Sequence, residues 1–394
     1  MKVLHCFGRY LPITENWVFR LLSFLPDVQI IITANSFLKG NFYNKEFKYI
    51  EFPATFFKQP AEKSIFTIRI LNALTKVIRK FFADYIVMHS EDVDFVHSHF
   101  APTAWAYHDI AKRLNVPHVI SFYGYDYEML PFTEPIWESR YQQMFKEAAL
   151  FICEGSHGAR VLIDKGCPVH KVKIIKLGVE IDRIPFTSRK KETNTLKLLQ
   201  IASLKEKKGH VFTVKAFLNA LYTCPNAELT LVGGNINDPM RSQLEEMVRA
   251  ANATDKVFFV ESIDFKNLYS FMENYHVFIH PSCYAQDKDC EGGAPVVLLD
   301  AQATGMPIIS TRHCDIPDEV IHGETGLLAQ EKNIDELAQF IQTFYEMDQA
   351  KYNLFATQAR KHVEKNFDVS LTSRDLSKIY VDLKEKTCHY QSKR

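Results

Sequence analysis

The chain of 394 residues is longer than one hydrophobic core ordinarily organises, so two domains are expected. Its 47 basic and 47 acidic side chains cancel, which removes the net field that draws a protein to nucleic acid. No run of eighteen apolar residues free of charge occurs, so no membrane-spanning helix is expected, and the eight cysteines, lacking a C-x-x-C pair or metal-ligand spacing, read as reduced thiols of a cytoplasmic protein.

The amino-terminal run KVLHCF predicts a first strand rather than a signal peptide, because Gly8, Arg9 and Pro12 break the apolar stretch. Five more strand-like runs follow in the first half: VQIIIT, DFVHSH, PHVISFY, LFICEG and KVKIIKLG. Helix-length segments separate most of them, the alternation of a doubly wound parallel α/β sheet. Such sheets bind ligands at the carboxyl ends of their strands, which makes Gly8, His97, His99, Tyr123, Gly124 and Asp126 site candidates. We assign His97 and His99 to opposite faces of their strand, leaving open whether either meets the cleft or is a buried, hydrogen-bonded histidine. Between the second and third of these runs, residues 58–82 place Ile70, Leu74, Val77, Ile78 and Phe81 at helical spacing among six lysines and arginines. A helix packed on its own sheet accounts for the pattern more simply than one resting, through 63–82, on the anionic inner face of the plasma membrane; both readings stay open.

Residues 180–195, EIDRIPFTSRKKETNT, replace aliphatic content with charge and hydroxyl groups, and the domain boundary is expected there. We take 1–182 as the first domain, 183–370 as the second, and 371–394 as a terminal helix, apolar through Leu371, Leu376, Ile379, Tyr380 and Leu383, that could pack on either. The second half repeats the strand alternation with LKLLQIAS, AELTLVGG, KVFFVES, HVFIHPS, MPIIST and TGLLAQ. Its candidate exits are Ser203, Lys208, Gly233, Gly234, Glu261 and Glu291. In CEGGAPVVLLDAQATGMPIIST, Pro295 suits the first turn of a helix over 296–304 and Gly305 its end. Glu291 and Asp300 then bracket an anion site at which Gly292 and Gly293 leave the backbone open to close approach. The plainer readings are that Lys207 and Lys208 belong to a solvated turn and that Asp300 is tied to a neighbouring backbone. Asp287 to Asp289 reads as a loop turn, and no metal ligand is assigned.

With these motifs in place, the chain resembles the retaining nucleotide-sugar glycosyltransferases of family four, of GT-B fold, in which two Rossmann-like domains face a central cleft. The similarity spans nearly the whole chain. IASLKEKKGH looks like that family's phosphate loop, EGGAPVVLLDAQATGMP like its double-glutamate segment, and YLPITENWV, HSHFAP and SFYGYDYE like its amino-domain loops. The resemblance implies a donor such as a UDP- or GDP-sugar, no separate cofactor, and metal-independent transfer to a glycan or lipid-linked acceptor in capsule, lipopolysaccharide or exopolysaccharide synthesis. It implies that Lys208 binds the diphosphate, that Glu291 faces the transferred sugar and that Asp300 holds the ribose. Gly8, Ser203, Glu261, Gly292 and Gly293 complete the donor side, and Glu15, His99, Gly124 and Asp126 the acceptor side. Three positions depart from the pattern: Tyr123 stands where many members have a catalytic-site histidine, Ser203 replaces an arginine, and eight residues separate Glu291 from an aspartate instead of seven from a glutamate. The alternatives are a nucleotide-sugar epimerase of the same fold and an inactive nucleotide-sugar-binding partner.

Overall fold

The computed structural model describes residues 1–12, 15–38, 42–51, 81–90 and 92–391; the amphipathic segment 58–80 lies outside them. The first half contains β1 (Lys2–Tyr10), α1 (Asn16–Ser23), β2 (Gln29–Phe37), β3 (Lys48–Ile50), α2 (81–89), β4 (Phe95–His99), α3 (Ala101–Leu114), β5 (His118–Ser121), α4 (Met129–Thr133), α5 (Ile136–Glu147), β6 (Leu150–Cys153), α6 (Ser156–Asp164) and β7 (Val172–Ile174). The second contains β8 (Leu196–Ile201), α7 (His210–Ala220), β9 (Ala227–Val232), α8 (Pro239–Ala250), β10 (Val257–Val260), α9 (Leu268–Met272), β11 (Val277–His280), α10 (Val296–Ala303), β12 (Ile308–Thr311), α11 (Ile316–Glu319), β13 (Gly326–Ala329), α12 (Ile334–Glu346) and α13 (Gln349–Asn366), followed by α14 (Val369–Gln391).

Among the described residues the first sheet has the order β3-β2-β1-β4-β5-β6-β7 and the second β10-β9-β8-β11-β12-β13, and their strand pairs are parallel. The central strands β4, β5, β6, β11 and β12 are buried at every position, as expected for parallel strands covered by helices on both faces. Strand order reverses between β1 and β4 in one sheet and between β8 and β11 in the other. Crevices open at such reversals, so the loops after these strands are where a ligand is expected to sit. No helix among the described residues is long and apolar enough to cross a membrane.

One local reading changes. β1 continues past Gly8, because Arg9 and Tyr10 still pair with Ser36 and Phe37 of β2, so Gly8 lies inside the strand rather than at its exit. The charged connection 180–195 is pinned to the second domain. Buried Arg189 donates to the Thr304 carbonyl at 2.7 Å and the Thr304 hydroxyl at 2.8 Å, and buried Lys191 donates to the carbonyls of Tyr345 and Met347 at 3.1 and 2.8 Å. These cations satisfy carbonyls left open at the ends of α10 and α12, where the helix dipole also favours positive charge.

After α13 the chain returns to the first domain. Val179 and Asp368 form an isolated bridge, and α14 then lays Leu376 and Tyr380 into the core that holds Val3, Phe7, Val18 and Leu21. Ser377 Oγ donates to the Pro26 carbonyl at 3.2 Å, and Lys384 pairs with Asp94 at 2.8 Å.

Candidate active site

The loops after β8 and β11 bring Lys208 to Glu291, and Gly124, beyond β5 of the first domain, packs against the second of them. Lys208 ends a single 3₁₀ turn, Glu206–Lys208, after β8. Gly209 then takes a left-handed φ of 69°, and a Cβ there would stand 2.0 Å from the Pro281 carbonyl oxygen, so only glycine lets the turn enter α7 against the β11 exit. The Lys208 ammonium donates to Glu291 Oε2 at 2.7 Å. Glu291 Oε1 accepts from Ser282 Oγ at 2.9 Å, with the His280 ring 3.7 Å away, and the Glu291 backbone N–H donates to His313 Nε2 at 3.2 Å. Burial alone would raise the Glu291 carboxyl. The Lys208 ammonium, His280 and Lys207 together outweigh it and hold the group well below the usual carboxylate range.

Lys207 is not a solvated neighbour. Its ammonium joins Asp289 at 2.9 Å and the Cys290 carbonyl at 2.8 Å, which ties the 287–290 turn to the phosphate loop. Asp287 accepts from the Asp289 backbone N–H at 3.0 Å, the geometry of a loop turn.

From the first domain, Gly124 reaches this loop. A Cβ on Gly292, whose φ is 79°, would stand 2.1 Å from the Gly124 nitrogen, and one on Gly124 would stand 3.0 Å from the carbonyl oxygens of both Cys290 and Glu291. A Cβ on Gly293 would collide with the Glu154 carboxylate at 2.5 Å. The glycine pair therefore allows the two domains to touch backbone to backbone, a use beyond the open anion cradle its composition suggests.

Asp300 is buried on α10 and accepts from the Tyr269 hydroxyl at 3.0 Å, with Arg20 of α1 at 3.5 Å from the same oxygen. Its partners are side chains, one of them from the other domain, and not the neighbouring backbone. Ser203 and Glu261 are exposed at the ends of β8 and β10. Glu15 precedes α1 half-buried; burial pushes its carboxyl up to about 7 against the pull of Arg9.

The acceptor-side candidates on β4 and β5 need correction. His97 and His99 are two residues apart on a strand and so share a face; their rings stack at 4.5 Å. Both are buried in a chain of hydrogen bonds. His97 joins Tyr380 at 2.5 Å and Ser121 at 2.7 Å, while His99 joins His5 at 3.1 Å and the Tyr123 hydroxyl at 2.8 Å. Desolvation lowers both histidines well below their ordinary range. Tyr123 thus turns its hydroxyl inward, its ring between Trp17 and Phe100, and the Gly124 peptide behind it is what faces the second domain. Asp126 is fully buried, accepting the backbone N–H groups of Tyr123 at 2.7 Å and Ala101 at 2.9 Å, so it fixes the β5 exit to the start of α3.

Sequence reasoning missed Arg20, Tyr269, Ser282 and His313. His280 and Ser282 had a usable signal, since they alternate at the end of a buried strand beside Glu291. Arg20 had a weaker one: a lone charge in the apolar helix NWVFRLLS.

Comparison with known proteins agrees with this architecture. Residues 17–183 match the Glycosyltransferase Family 4 domain and residues 182–362 the Glycosyl transferases group 1 domain. WcaL of Salmonella typhimurium, whose name assigns it to glycosyl transfer in colanic acid biosynthesis, is 28% identical over 61% of this chain and 58% of its own length. The amylovoran biosynthesis glycosyltransferase AmsK of Erwinia amylovora is 26% identical over 68% of this chain and 64% of its own. The matches therefore span less than two thirds of either relative. The crystal structure of HepE from Anabaena in complex with UDP-glucose superposes with a TM-score of 0.72 over 97% of this chain and 100% of that one, at 16% identity, which establishes the GT-B arrangement of two parallel-sheet domains. With both domain models matched end to end along 17–362, the chain belongs to the glycosyltransferases built from this pair.

Proposed function

We propose that the protein is a retaining glycosyltransferase that moves a sugar from a nucleoside-diphosphate donor to a glycan or lipid-linked acceptor of a bacterial exopolysaccharide. The observation that carries the reading is the Lys208–Glu291 pair, set at the strand-order reversal of the second sheet and directly opposite Gly124 of the first. Support for the donor class comes from HepE, which shares the fold and binds UDP-glucose, and for the product class from WcaL and AmsK.

Breaking the bond between a sugar and a diphosphate builds negative charge on the departing phosphate and positive charge on the sugar. A helix terminus supplies about 0.3–1 kcal/mol toward the first, whereas one well-placed donor to developing charge supplies about 2.7–4 kcal/mol. Lys208 is that donor: its ammonium reaches the diphosphate from beside Glu291, which it helps to keep ionised, and Glu291 faces the sugar as its cationic character grows. With Tyr123 turned inward onto His99, the departing phosphate is the base that takes the acceptor's proton. Asp300 holds the ribose, competing with Arg20.

Replacing Lys208 with alanine is expected to lower the single-turnover transfer rate about 100-fold or more; a near-normal rate would remove Lys208 from the mechanism. A nucleotide-sugar epimerase could use the same ion pair, and the two activities separate cleanly, since isomerised donor formed without any acceptor would favour the epimerase.

A further inference from the structure

A second constellation stands against the same domain contact. Cys290 immediately precedes Glu291, Cys314 follows β12, His157 lies in the first turn of α6, and Glu128 comes just before α4. A ring nitrogen of His157 and the sulfur atoms of Cys290 and Cys314 all lie within 4.8 Å of one another. His157 Nε2 is also 3.7 Å from Glu128 Oε2, a buried oxygen with no hydrogen-bond partner. Cys290 Sγ is in turn 3.7 Å from the Gly124 carbonyl oxygen, so the cluster abuts the point where the domains touch.

We propose that Cys290, Cys314, His157 and Glu128 form a binding site for a thiophilic divalent cation of the zinc type, which clips the two domains together beside the transfer site. Two sulfurs, an imidazole nitrogen and a carboxylate oxygen make up a set that such ions accept in tetrahedral geometry. With metal–ligand bonds of about 2.0–2.3 Å, neighbouring ligand atoms in that geometry stand about 3.6 Å apart. The His157, Cys290 and Cys314 atoms need to contract by about 1.2 Å at most to reach it, and Glu128 Oε2 already stands 3.7 Å from His157 Nε2. Each thiol gives its proton to solvent on binding and no other bond changes.

A disulfide between Cys290 and Cys314 is the competing reading, but it uses two of the four groups and joins only the second domain to itself. The histidine triad His5, His97 and His99 is equally compact, yet its members are completely buried and bonded to one another, to Tyr380, to Ser121 and to Tyr123. The cysteine cluster differs in access, for His157 and Cys314 are only partly covered. Two of its ligands come from each domain, and the loop it would hold is the one that carries Glu291. The ion is therefore a brace and not a participant in transfer. Positions 128, 157, 290 and 314 form no spacing motif, which is why the sequence conceals the set.

The test uses the full chain, reduced and stripped with a chelator, then titrated with Co²⁺ and back-titrated with Zn²⁺. One equivalent of Co²⁺ should give a thiolate-to-cobalt charge-transfer band with the visible bands of a tetrahedral site, and one equivalent of Zn²⁺ should abolish both. Cys314→Ser, at a partly covered position, should lose the charge-transfer intensity while keeping the far-ultraviolet circular dichroism of the parent. His157→Ala should bind at least tenfold more weakly. The proposal is overturned if the parent shows no thiolate-to-cobalt band, if Cys290→Ser and Cys314→Ser bind as the parent does, or if His157→Ala binds unchanged. It is also overturned if intact-mass analysis shows the loss of two hydrogens with no metal uptake. Because metal is read by absorption, failure here leaves the glycosyltransferase reading to its own experiment.

Discussion

Arg20 and Asp300 are brought together from positions 280 apart, and both side chains are almost completely covered. Removing one member of such a pair strands the other charge away from water, which typically costs about 3–5 kcal/mol, whereas replacing both with apolar groups is often neutral. Asp300→Ala is therefore expected to lower the unfolding free energy by about 3 kcal/mol, and Arg20→Met combined with Asp300→Leu to recover most of it, as read from urea denaturation. Nucleotide affinity separates the two duties of Asp300: if it holds the ribose, the double variant regains stability and stays weak for the nucleotide. At this scale the sequence was legible where chemistry repeats a pattern, as at Lys208 and Glu291. It was opaque where a partner arrives from the other domain, as Arg20 does for Asp300. His99 and Asp126 were visible as polar groups near strand ends, but only the packing of Tyr123, Phe7 and Ala101 around them shows that they face inward.

The loop from Cys290 to Gly293 gains its shape from contact with Gly124 and Glu154 as much as from its own residues. Gly292→Ala imposes a left-handed backbone on a residue with a side chain, at about 1–2 kcal/mol, and drives a methyl group into the Gly124 peptide. The strain is relieved by parting the domains, so transfer should fall about tenfold or more while circular dichroism stays unchanged, since misplacing reacting groups by 1 Å can cost about 100-fold. Unaltered steady-state transfer would show that the contact is dispensable. Helix signals were read to within a residue, since α10 spans Val296–Ala303 between Pro295 and Gly305. The burial of Arg189 and Lys191 in the connection at 180–195 was not legible, because charge and hydroxyl content alone does not show that these cations close the carbonyls of helix ends.

Across the whole molecule, two doubly wound sheets were legible because most of the parallel strands carry their own apolar run and are followed by a helix that returns the chain. The destination of α14 was not, since an amphipathic face states that it will be covered but not by which domain. Leu376 and Tyr380 complete the first core, so a chain that has already built its second domain comes back to finish its first. Synthesis thus releases the amino-terminal lobe from the ribosome before its last wall exists, and the lobe must wait, partly open, until α14 emerges. A single protease cut engineered at exposed Phe186 should accordingly leave both fragments eluting as one particle on gel filtration, because the carboxyl fragment carries a piece of the other's interior. Fragments that elute apart would mean that α14 is only an ornament on a lobe able to close by itself.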